Sequence, residues 1–131
     1  MLAVPVMAGV RIDANQVGTT NVVQVSYIAA DGNIPRAFAL DVKISEANDA
    51  NLAPYGFNSN FYVAPGTFTY IGGVTNWGNP AVGPNTVGFT TEMGSLWATN
   101  DPVYKTQPPS TGVLFSFKVD HGCTVTLLEN A

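Results

Sequence analysis

Arg36–Ser45 reads RAFALDVKIS, and its two interleaved rows decide the fold class. Phe38, Leu40, Val42 and Ile44 fall on one side of an extended chain; Ala37, Ala39, Asp41, Lys43 and Ser45 fall on the other. A period of two predicts a β-strand with one face in a core and the other in water or against a partner.

Upstream, Val22–Ala29 repeats the pattern, with Val23, Val25 and Tyr27 alternating against Gln24 and Ser26. Asp31-Gly32-Asn33 is turn chemistry, because glycine supplies positive φ and Asp and Asn bond their own backbone. A polar turn is expected over Asp13–Asn21. Before it, the apolar segment Met1–Ile12 reads either as a strand on the edge of its own sheet or as an arm that adds a strand to a neighbouring subunit. Leu2, Val4, Val6, Val10 and Ile12 are its candidate assembly contacts.

Downstream, Glu46–Asn60 has room for one short helical turn at most, since Pro54 and Gly56 interrupt it. Short β segments follow at Asn60–Ala64 and Thr67–Ile71, around a Pro65-Gly66 turn. A long loop, Gly72–Thr86, carries Trp77. Val87–Met93 alternates again, Ser95–Thr99 is another apolar piece, and Asn100–Thr111 is a proline-rich connector. Gly112–Asp120 and Gly122–Asn130 flank Asp120-His121-Gly122 and read as a hairpin, with Val113, Phe115, Phe117 and Val119 on one face of the first strand. Turn signals every 8–12 residues or so predict an antiparallel β-sandwich or jelly roll of about nine short strands. Residues 1–131 form one domain, with no internal repeat or linker.

Charge is the unusual quantity. Charged residues are 11% of the chain against 46% hydrophobic, where an ordinary domain carries about 25% charged. A folded monomer of this mass exposes roughly 6,600 Å², which leaves about one charge per 470 Å². Such a surface is cheap to desolvate, because few ions must be stripped of water on contact. Five scattered cations (Arg11, Arg36, Lys43, Lys105, Lys118) and a net charge of −4 argue against nucleic acid as a partner. No apolar run reaches the ~18 residues of a membrane-spanning helix, so membrane insertion is not expected.

Catalytic groups are few. His121 is the sole histidine and Cys123 the sole cysteine. The first belongs to a turn, and the second reads as a buried thiol on an inward strand face. One His and one Cys cannot close a zinc site. Asp31-Gly32-Asn33 and Asn48-Asp49 do not match a calcium loop. No metal or cofactor is therefore expected. Asp41 and Glu92 are the one carboxylate pair open to glycoside chemistry, and a solvated strand face explains both. A carbohydrate-binding module is the main alternative, with Trp77, Asn76, Asn79, Tyr55 and Trp97 as stacking and hydrogen-bonding residues beside Tyr62 and Tyr104.

Five segments carry a family resemblance: Arg36–Val42 (RAFALDV), Phe61–Thr67 (FYVAPGT), Glu92–Trp97 (EMGSLW), Pro109–Val119 (PSTGVLFSFKV) and Cys123–Leu127 (CTVTL). Together they resemble cohesin-like domains of secreted bacterial proteins that also carry dockerin modules. The resemblance implies a nine-stranded jelly roll, an extracellular location and non-catalytic binding, to a dockerin or within a surface assembly. Met1–Ile12 aligns with nothing in that pattern, and no dockerin-contact residue is carried over. The expectation is a secreted, non-enzymatic structural or adhesive module that pairs with copies of itself. Polysaccharide binding and dockerin capture are the alternatives.

Overall fold

The computed structural model describes residues 6–7, 9–30, 33–45, 53–63, 68–71, 86–95, 97, 102, 107–119 and 123–129. They form an all-β arrangement of two antiparallel sheets that share one core, with no helix among the described residues. The strands are β1 (Val6–Met7), β2 (Val10–Gln16), β3 (Val22–Ala29), β4 (Ala37–Ser45), β5 (Phe61–Val63), β6 (Phe68–Ile71), β7 (Thr86–Ser95), β8 (Thr111–Lys118) and β9 (Thr124–Glu129). The first sheet runs β1-β2-β3-β8. The second runs β5-β7-β4-β9, with β6 also pairing β7.

The inward rows are those the alternation predicts for β3 and β4. Val23, Val25 and Tyr27 meet Phe38, Leu40, Val42 and Ile44 across the interior. Two aromatic clusters tie the sheets together. Tyr27, Phe38 and Phe61 form a triangle with centroids 5.4–5.8 Å apart. Phe57, Phe115, Phe89 and Phe117 form a chain at 5.8, 5.6 and 5.3 Å. The tilted and edge-on ring angles are those the aromatic quadrupole favours. Tyr27 keeps its polar end satisfied by donating its hydroxyl to Pro109 O at 2.6 Å, and burial pushes that hydroxyl's pKa up.

Four features depart from the alternation reading. First, β2 runs on through Asp13–Gln16, where a turn was expected, and only residues 17–21 turn. Ile12, Ala14 and Gln16 form its inward row, a descending series of apolar character. Second, β8 carries a bulge: Val25 pairs Phe115, but Ser26 pairs Val113, so Leu114 is an extra residue. A bulge reverses the alternation beyond it, which turns Val113 outward and leaves Leu114 buried.

Third, β8 and β9 are not a hairpin. The first pairs β3 and the second pairs β4, so the chain crosses between sheets. Alternating strands on either side of a Gly-containing turn look the same in sequence whether the turn closes a ladder or arches between layers. Fourth, Asp41 does not face water. It is 1% exposed and accepts a hydrogen bond from Thr90 Oγ1 at 2.8 Å. Thr90 and Thr91 are both buried, so β7 is covered on both faces at this point.

The outer edge of β8 is closed by residues 55–58. Tyr55 and Ser116 exchange backbone bonds at 2.8 Å, and Asn58 N–H donates to Leu114 O at 2.8 Å. This extended stretch occupies part of the segment where a short helical turn was allowed.

Candidate interaction surfaces

The opposite side of the molecule is not closed in this way. Beyond Arg11, no described strand pairs with β2 on the side away from β3. β9 pairs with β4 alone among the described residues. These two edges belong to different sheets and lie next to each other. Between them is a cavity of about 510 Å³, lined by Ala14, Gln16, Val23, Val119, Cys123 and Val125 with polar neighbours from the β2–β3 turn.

The cavity follows from the inward rows. Along β2 the row shrinks from Ile12, 1% exposed, to Ala14 and then exposed Gln16; along β9 burial falls from Leu127 to Val125 and Cys123. A methyl at position 14 does not reach the facing sheet, so the layers part at this end. The rim satisfies itself: Gln16 Nε2 donates to Thr20 O at 2.8 Å and Val119 N–H to Asn21 O at 3.0 Å. No lining residue carries a charge. Natural edge strands are usually guarded by lysine or other charges against pairing; on β2 the Arg11–Asp13 ion pair at 3.0 Å lies on the outward row, and β9 carries one charged residue, Glu129, at its end.

The candidate assembly residues divide. Ile12 is in the protein's own core and Val10 packs against it, so neither side chain is presented to a partner. Val6 lies in β1, while Leu2 and Val4 lie outside the described residues. Sequence reasoning missed a second apolar feature. Ile28, 47% exposed, and Val113 sit diagonally on the outer face of the first sheet, the latter only because of the Leu114 bulge.

The candidate sugar-binding residues do not form one platform among the described residues. Tyr55 borders the first sheet with Lys118 Nζ 5.9 Å from its ring centre. Trp97 follows the second sheet, with the Arg36 guanidinium 4.4 Å over its ring and Arg36 Nη1 donating to Trp97 O at 2.6 Å. That ring face is already stacked. Tyr62, on β5, is 53% exposed. Asn76, Trp77, Asn79 and Tyr104 lie outside the described residues, as do Asp31, Asn48, Asp49, Asp120 and His121.

Asp41 and Glu92 are brought to one face of the β4–β7 ladder, diagonally placed, since Ala39 opposes Glu92 and Asp41 opposes Thr90. Burial of Asp41 and its bond to Thr90 remove the open cleft that glycoside chemistry needs. No group of three or more His, Cys, Asp or Glu capable of holding a metal occurs among the described residues. Likewise, no helix there is long and apolar enough to cross a membrane. No protein-family model, curated protein or solved structure matches the chain.

Proposed function

We propose that this chain is a non-catalytic structural or adhesive module, secreted or displayed at the cell surface, that assembles with copies of itself through strand contacts. The finer architecture belongs to the same proposal: a cohesin-like jelly roll of about nine strands. The observation that carries it is a pair of edges, β2 beyond Arg11 and the side of β9 away from β4, that no described strand covers, in a chain with only 11% charged residues. Unpaired N–H and C=O groups along an edge are a template for another strand. Ile28 and Val113 add an apolar contact on the outer sheet face.

Light scattering of the purified chain across a concentration series tests the reading. Oligomers are expected, and a truncation removing residues 1–8 is expected to be a folded monomer. The truncation stops there because Ile12 belongs to the core. An intact chain that stays monomeric at high concentration refutes self-assembly.

A further inference from the structure

The β1–β2 register identifies the surface that receives the N-terminal strand; this inference rests on the assembly reading above. Met7 lies opposite Val10 and Val6 opposite Arg11. In a two-residue hairpin the pair flanking the loop exchanges both backbone bonds, and every second pair repeats this. Continued by one more pair of this kind, the register would set position 5 opposite Ile12, where Pro5 has no N–H to donate. The same register also misplaces the apolar row. Opposed residues share a face; position 6 matches Arg11, and the same register continued would set positions 4 and 2 against Asp13 and Asn15, the outward row that holds the Arg11–Asp13 ion pair.

A shift of one residue cures both mismatches together. A strand antiparallel to β2 and displaced by one position turns Leu2, Val4 and Val6 to the inward side. The inward row at this edge is also the row that bonds β2, so the Pro5 nitrogen then faces away from the ladder, as on an edge strand. The observed Met7–Val10 pairing does not permit that shift within one chain without a longer loop or a bulge. A second copy does.

We infer that residues 1–7 of one copy pair antiparallel with Ile12–Gln16 of another, seating Leu2, Val4 and Val6 in the uncharged cleft between β2 and β9. Three observations carry it: the cleft is apolar at its base (Ala14, Val23, Val119, Val125); its β2 edge is unpaired among the described residues over Ile12–Gln16; and the donor segment MLAVPVM has no charged side chain. Among the described residues, the exchange gives up the two-residue β1 pairing.

Cys123 lines the same cleft as Ala14 and is the chain's sole cysteine, so it serves as a reporter. Val4→Cys protein, prepared as an equal mixture of 14N and 15N chains, is oxidised and its disulfides mapped by mass spectrometry. The expected result is a position 4–123 disulfide joining chains of different isotope, lost when Cys123→Ser is added. Single aspartates then test the register: Val4→Asp abolishes oligomers and Ala3→Asp retains them. Oligomers without the 4–123 link, or equal effects of the two aspartates, overturn the cleft as acceptor while leaving self-assembly standing. A link confined to chains of one isotope overturns the exchange between copies. A monomer under every condition overturns both.

Discussion

Asn58 clamps the bulge in β8, and replacing it measures what that clamp contributes. Its Nδ2 donates to Val113 O at 2.8 Å, and its Oδ1 accepts from the Asn60 backbone N–H and side-chain amide, both at 3.0 Å. The bond from its own N–H to Leu114 O survives any substitution except proline. Asn58→Ala therefore removes three side-chain bonds, each contributing about 0.5–1.5 kcal/mol net. Val113 is exposed and Asn58 half-buried, so water recovers part of this, and the loss comes to about 2 kcal/mol. With a urea slope of about 1–3 kcal/mol per molar, the unfolding midpoint falls by roughly 1 M.

Asn58→Asp separates the contributions. It keeps the oxygen that Asn60 uses but sets a second acceptor against the Val113 carbonyl, so it costs at least about 1 kcal/mol. Urea unfolding followed by aromatic circular dichroism gives both numbers, and amide exchange at Leu114 and Phe115 localises the effect. If both variants unfold within about 0.5 kcal/mol of the parent, the usual scatter for independent sites, the clamp reasoning is wrong and burial of Leu114 alone holds the bulge.

Three further outcomes follow from the same geometry. Gly9→Ala forces an L side chain to φ 77° and drives its Cβ into the Asn33 side-chain amide, which bonds Ala30 O at 2.6 Å; chemical denaturation should show a loss of about 2–3 kcal/mol, partly relieved in an Asn33→Ala background. Phe115→Ala empties the middle of the four-ring chain and should cost about 3–5 kcal/mol in a thermal melt, a large share of a typical domain's total. Tyr27 stays protonated in the fold while the unfolded chain ionises near its ordinary pKa of 10.0. Stability from this group is therefore complete below pH 10 and declines as pH rises beyond it. Tyr27→Phe should lose about 1 kcal/mol at neutral pH yet show a shallower alkaline decline; an unchanged decline in pH-dependent melts counts against the buried hydroxyl as its source.

The all-β class and the inward rows of β3 and β4 were legible because each is a local alternation of large apolar and small or polar residues. The features that differed are non-local. The far half of β2 was hidden because its inward residues after Ile12 are only Ala14 and Gln16. The bulge at Leu114 is bonded by Asn58, over fifty residues away in sequence. Burial of Asp41 depends on what covers the second sheet, which alternation along β4 does not record. The cleft arises from two edges contributed by opposite ends of the chain, so no window of sequence contains it. Its one readable trace was the shortage of charge.

Strand order also governs when the fold can be completed. β3 is made early but finds its outer neighbour only at residues 111–118, and β4 waits for residues 124–129. The β2–β3 ladder is local, but each sheet needs a strand from beyond residue 110. Such distant pairing slows folding to milliseconds or longer. A nascent chain therefore completes neither sheet before residues 111–129 have been made, and a chain truncated before residue 111 leaves both layers one strand short.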